Sequence, residues 1–196
     1  MSFYITLAIV LALIALVVMV FNKLVSLRAR HENAFAQIEV QLKRRYDLIP
    51  NLVNTAKAYL KHEQETLEAV INARNQAMAG LSAASGDLTN IDAMGALAGA
   101  ESALTGALGK LNVVMEAYPD LKADQTMMQV SEELTATENR VAFARQGFND
   151  AVTSYNEYKQ QFPAVLMAGP FGHGKDASLL EFSDSAAIQA APKVEF

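Results

Sequence analysis

The segment Gly169-Pro-Phe-Gly-His-Gly-Lys175-Asp176 fills the first seven positions of a phosphate-binding P-loop. The eighth position needs a hydroxyl to hold Mg²⁺, and Asp176 would instead repel phosphate. The segment also neither follows a strand pattern nor opens a periodic helix, so nucleotide binding is not expected. The pairs His31-Glu32 and His62-Glu63 begin like the helical zinc-protease signature, but the second histidine would fall at Phe35 and Thr66. Glu132, Glu133 and Glu138 with Arg140 and Arg145 offer acidic and basic groups in one stretch. Glu133 and Arg140 lie two helical turns apart and Glu138 is off the face of Arg140, so solvated charges or inter-helix pairs are expected. The absence of Cys removes disulfides, thiolate metal sites, thiol nucleophiles and an acylated lipoprotein cysteine. No catalytic residue, cofactor or metal is expected.

Composition agrees with that silence. A chain of 196 residues suits one compact domain, and 52% apolar against 19% charged residues exclude a disordered chain. The formal charge of −5 and pI near 5.2 argue against nucleic acid as a partner. With no Trp and 8% aromatics, the core must be mostly Leu, Val, Ile, Met and Ala, which suits helices better than sheets.

Residues 3–21 form an uninterrupted run without charge. At about 1.5 Å per residue, a helix of that length covers roughly 28 Å, the hydrocarbon thickness of a bilayer. A cleavable signal peptide would need a basic n-region and a small-x-small site, and neither is present around Val18 to Asn22. The run is therefore read as an uncleaved anchor. Residues 23–45 carry six basic side chains against Glu32 and Glu39, a net +4, leaving −9 for residues 46–196. That flank predicts a single-pass protein with everything after the span in the cytoplasm. Lys23, Arg28 and Arg30 are the candidate contacts to anionic lipid headgroups, while Lys43, Arg44 and Arg45 read as a solvated face.

Beyond the span, the spacing predicts an all-α fold: the membrane helix continues into an antiparallel bundle of three to four long helices over residues 22–163, with a mostly extended tail at 164–196. Leu24, Leu27, Phe35, Ile38, Leu42 and Ile49 mark a stalk, with Pro50 either breaking or kinking it. Leu52, Val53, Ala56, Leu60, Leu67 and Ile71 continue the stripe, and Gly80 to Leu88 reads as the first loop. A second long pattern runs from Ile91 to Met115, capped by Thr89 or Asn90 and stopped near Pro119. The third starts near Asp120, with Leu121, Met128, Leu134, Val141, Phe148, Val152, Tyr155 and Phe162 on one stripe. In the tail, Leu179, Leu180 and Phe182 are the residues able to pack.

Gly95, Gly99, Ala103 and Ala107 recur every four residues, a small-residue ridge that would let two helix backbones approach closely. Each helical Gly costs about 0.5–1 kcal/mol relative to Ala, which a close contact could offset. Both a crossing within the chain and a contact in a homo-oligomer satisfy the pattern. Tyr46, Tyr59, Tyr118, Tyr155 and Tyr158 could line a groove, but packing between helices with satisfied hydroxyls is the expected role.

The run Gln41-Leu-Lys-Arg-Arg-Tyr-Asp-Leu-Ile-Pro-Asn-Leu-Val53, followed by Tyr59, Lys61, His62, Glu63, Thr66, Leu67 and Ala73-Arg74, resembles the signature of the LemA family of bacterial membrane proteins. The blocks Val114 to Ala123 and Glu132 to Arg145, then Tyr155-Asn156, Phe162-Pro163 and the ending Pro192 to Phe196, follow in the family's order. Gly147 departs from it where a larger, often basic residue is usual, and Asp124 where Asn is usual. The resemblance implies an N-terminally anchored, cytoplasm-facing helical bundle with no established catalysis. Genes of such proteins often neighbour that of the membrane zinc protease HtpX, and relatives take part in magnetosome membrane formation. Two roles follow from the resemblance: a self-associating scaffold on the inner membrane that organises a membrane partner such as an HtpX-like protease or shapes the bilayer, or a monomeric module presenting a peptide or lipid groove.

Overall fold

The computed structural model describes residues 1–182, and all its regular elements are helices: α1 (Ser2–Lys57), α2 (Gln64–Gly86), α3 (Ile91–Met115), α4 (Pro119–Lys122), α5 (Gln125–Gln160) and α6 (Ala164–Ala168). The all-α reading holds. α1 joins the apolar N-terminal run to the bundle without interruption, and it is the one described helix long and apolar enough to cross a membrane. Short loops reverse the chain after α1 and α2, so α2 returns toward the span, α3 leaves it and α5 returns again. α1 packs along α5, α2 along α3, and α1 along α2, whereas α3 and α5 form no comparable pair.

The stalk stripe is buried as its spacing predicts, from Leu24 through Phe35, Ile38 and Leu42 to Ile49. The core begins earlier than that stripe, because Val20, inside the apolar run, is also buried. Pro50 does not break α1, which continues to Lys57. A proline lacks the N–H that would bond the carbonyl four residues earlier, here Tyr46. Arg74 of α2 supplies a substitute, its Nε donating to that carbonyl at 3.1 Å.

Two expected boundaries move. The loop expected at Gly80 to Leu88 is helical as far as Gly86, with the turn confined to residues 87–90. Gly80 and Ser85 do not end the helix because Leu81 and Ala84 are buried against its neighbours and Ser85 bonds back to the carbonyl of Leu81. Asn90 is the cap of α3, its side chain accepting from the amides of Asp92 and Ala93 at 3.1 Å. The helix expected from Asp120 begins at Gln125 instead, capped by Asp124, after the single turn of α4. This shift buries Met127 and leaves Met128 exposed. Ile91 and Phe162, at element ends, are also exposed rather than in the stripe.

The first part of the tail is not free of the bundle. α6 buries Ala164 and Ala168, and the irregular chain after it buries His173, Ala177 and Leu180. Residues 183–196, including the Pro192 to Phe196 block, lie outside the described residues.

Candidate functional site

Because α3 and α5 stand apart, their gap is filled by residues 176–182 of the same chain. Asn149 and Asn156 lie seven residues apart on α5 and so face the same way. Asn156 accepts from the Ala177 amide at 3.0 Å and donates to the Ala177 carbonyl at 2.9 Å. Asn149 repeats this at Leu180, at 2.9 and 3.1 Å. Each carboxamide thus does for one residue what a neighbouring β-strand would do, and neither reads a side chain. The Ser178 amide donates to the Leu88 carbonyl at 3.0 Å. The Arg145 guanidinium lies 4.4 Å from the centre of the Phe182 ring, and Lys159 pairs with Asp176.

Beneath Phe182, a cavity of about 90 Å³ ends on a buried polar cluster. Arg45 Nη1 donates to Glu101 Oε2 at 2.9 Å and Nη2 to the Thr105 hydroxyl at 3.1 Å, while the Tyr46 hydroxyl donates to Glu101 Oε1. Glu138 of α5 stands 4.0 Å from Arg45. Burial pushes the Glu101 carboxyl up, opposed by its bonds to Tyr46 and Arg45. Burial, reinforced by Glu101, raises the Tyr46 phenol as well. A buried charge held from three sides fixes how α1, α3 and α5 meet.

A third polar group lies at the end of the bundle nearest the span. The Tyr155 hydroxyl and His173 Nδ1 are 2.9 Å apart, and the His31 ring lies 5.0 Å from that of Tyr155. His31 Nδ1 is buried without a partner among the described residues. Burial holds both imidazoles below their ordinary pKa. The adjoining cleft, of about 670 Å³, carries Arg28, Glu32, Asp87 and Lys175 at its rim. Charges of both signs line it, and among the described residues no three His, Asp or Glu side chains gather as metal ligands.

The structure redistributes the residues singled out by sequence. Gly95, Gly99 and Ala103 are exposed and Ala107 is half-buried, and a Cβ at Gly95 or Gly99 would meet nothing within 4 Å. Among the described residues, no helix crosses the ridge. The close crossing belongs to Gly80, where a Cβ would lie 3.2 Å from the Leu97 Cα. Lys23 and Arg30 are exposed, whereas Arg28 pairs with Glu32 at 2.9 Å. Arg45 is buried, not solvated as expected, because Glu101 compensates its charge.

The P-loop-like segment follows α6 rather than a strand. Its Phe171, Gly172 and His173 amides bond the carbonyls of Met167, Gly169 and Ala168, which leaves those donors turned inward. His31 and His173, scattered in sequence, flank Tyr155. The buried Tyr46 and Tyr155 bond Glu101 and His173, as expected for packed tyrosines, whereas Tyr59 is exposed and bonds Asp124 at the surface. The resemblance included Asn156 without giving it a role and did not include Asn149; the heptad spacing of the two was the available signal.

The sequence pattern of the LemA family matches residues 34–196. The magnetosome protein MamQ 2 of Paramagnetospirillum magneticum is 27% identical over 174 residues, covering 81% of this chain and 64% of the relative. The protein LemA of Metamycoplasma hominis is 28% identical over 136 residues, 69% of this chain and 57% of the relative. The chain thus spans less than two thirds of the length of these relatives. The matched sequence and the apolar helix before it describe a membrane-associated helical protein.

Proposed function

The chain belongs to the LemA family, and on that premise we propose that it is a membrane-anchored scaffold without enzymatic activity whose copies link by exchanging the 176–182 segment between their α3–α5 grooves. The observation that carries this reading is the pair of asparagine clamps, which hold the segment by backbone alone and would hold the same segment from a second copy equally well. The span confines every copy to one plane, which raises effective concentration and favours even a weak exchange. The ridge of exposed Gly95, Gly99 and Ala103 with half-buried Ala107 is the second contact offered between copies. In this reading the bundle faces the cytoplasm from the inner membrane, Lys23, Arg28 and Arg30 meet anionic headgroups, and the assembly organises a membrane partner such as an HtpX-like protease or shapes the bilayer.

The test uses the absence of native cysteine. Ile91 and Leu179 are both exposed and line the same cleft at the groove mouth. Copies carrying Ile91→Cys and Leu179→Cys on tags of different size are co-expressed and treated with a short bis-maleimide in membranes. A mixed cross-link supports exchange. Its absence, while a chain bearing both substitutions closes on itself, favours the monomeric groove instead. Gly99→Leu should lower the oligomer and any co-purified protease while leaving helicity intact. A cysteine at Ser82, exposed on α2, should resist an impermeant maleimide in intact cells, and labelling there would reverse the orientation.

A further inference from the structure

The base of the bundle carries an apolar surface that the groove and the polar clusters do not use. In α6, Ala164 and Ala168 face the helices, while Val165 and Leu166 are 51% and 66% exposed, and Phe162 beside them is 79% exposed. No charged side chain occurs from residue 160 to residue 172. The height of this surface is fixed by two contacts. The Phe171 ring meets the Phe21 ring edge-to-face with centroids 5.3 Å apart, and Val20 is buried where the bundle begins. Phe21 is the last residue of the apolar run.

We infer that residues 162–171 form a second membrane contact, with α6 lying in the interface of the leaflet from which α1 emerges and Phe162, Val165, Leu166 and Phe171 entering its acyl boundary. The inference rests on the reading of residues 3–21 as a membrane span. If that run fills the hydrocarbon, Phe21 stands at the boundary between acyl chains and headgroups, and the ring contact sets Phe171 at the same depth. Interfacial segments bury their apolar face about 5–10 Å into that zone, and aromatic side chains are favoured there. In water, the same cluster would be an unshielded patch directly beside a lipid-covered helix. The bilayer is the occupant already continuous with the surface. Two contacts, one spanning and one lying flat, would stop the bundle from turning about the α1 axis and fix which side of it faces along the membrane.

The chain contains no Trp, so single substitutions report without background. Full-length Leu166→Trp is placed in nanodiscs of phosphatidylethanolamine and phosphatidylglycerol, with Leu11→Trp marking the span and Phe143→Trp, on an 80% exposed site of α5, marking water. Leu166→Trp should emit to the blue of Phe143→Trp and be quenched more by lipids brominated near the headgroup than by lipids brominated at the chain end. Leu11→Trp should show the reverse depth preference. Emission of Leu166→Trp like that of Phe143→Trp, with Leu11→Trp quenched, would overturn the second contact and leave the span intact. A blue-shifted Leu166→Trp that no brominated lipid quenches would also overturn it, since protein would then be the cover. Loss of quenching at Leu11→Trp would overturn the span and the contact together.

Discussion

Arg74 of α2 donates to the main-chain carbonyl of Tyr46, the carbonyl that Pro50 deprives of its helical partner. The proline that should weaken α1 is thereby made a point of attachment between α1 and α2. A hydrogen bond from a charged donor contributes about 1.5–3 kcal/mol when well shielded, and less at a half-buried site such as this one. Arg74→Leu should therefore destabilise the protein by about 1–2 kcal/mol in urea unfolding. In a Pro50→Ala background the helix satisfies its own carbonyl, so the same substitution should cost clearly less. Equal costs in the two backgrounds would mean that Arg74 acts through something other than this bond.

The Arg45–Glu101 pair gives a larger effect with a different signature. Glu101→Gln leaves the guanidinium buried without its counter-charge and should cost about 3–5 kcal/mol, read as a lowered midpoint of unfolding. Removing both charges with Arg45→Met and Glu101→Leu should recover most of that loss. A double variant as unstable as the single one would show that Tyr46, Thr105 and Glu138 depend on the charges for their own placement.

Glycines of α2 and α3 should respond in opposite directions. Gly80→Ala presses a methyl group against the α3 backbone at Leu97. Overpacking of this kind costs about 1–3 kcal/mol, more than the helical gain of about 0.5–1 kcal/mol from losing a glycine. Gly99→Ala has open space and should show that gain alone, as a higher melting temperature in dilute detergent. A loss of stability at Gly99 would place another backbone against the ridge, as contact between copies requires.

His31 and His173 set the sign of the response to mild acid. Burial is the main cause lowering both, with the Arg28 charge acting in the same direction, Lys159 adding to it at His173 and Glu32 opposing it at His31. The unfolded chain then binds protons before the folded one does. Stability should be level above about pH 6.5 and fall as pH drops from there toward the folded-state values. Glu101, whose carboxyl is raised by burial, contributes with the opposite sign at lower pH, because its folded form holds the proton longer. His31→Phe should flatten part of the decline in melting temperature between about pH 7 and pH 5.5. An unchanged decline would assign it to other groups.

Several features were legible because they are local. Apolar spacing located α3, the body of α5 and the stripe shared by α1 and α2, but not the turn at residues 58–63 that separates those two helices, and Thr89 or Asn90 was the expected start of α3. An unbroken apolar run needs no tertiary information to be recognised as long enough for a bilayer. The resemblance drew attention to Arg45, Tyr46, Pro50 and Arg74 without revealing that they hold one another and their neighbours in place. The expected loop at Gly80 failed for a related reason. Glycine propensity is a local cost, and burial of Leu81 and Ala84 with close packing on Leu97 outweighs it.

The sequence by itself determined that the chain is helical and which stripe of its long helices is mostly apolar, since both follow from repeats of three to four residues along one chain. Tertiary structure decided what the polar residues do. Glu101 neutralises Arg45 from 56 residues away, and Asn149 clamps Leu180 from 31 residues away, only because the helices meet at one particular rotation and height. Periodicity specifies the face of a helix, whereas a hydrogen bond depends on placement to within a few tenths of an ångström. That placement comes from side chains packing between helices.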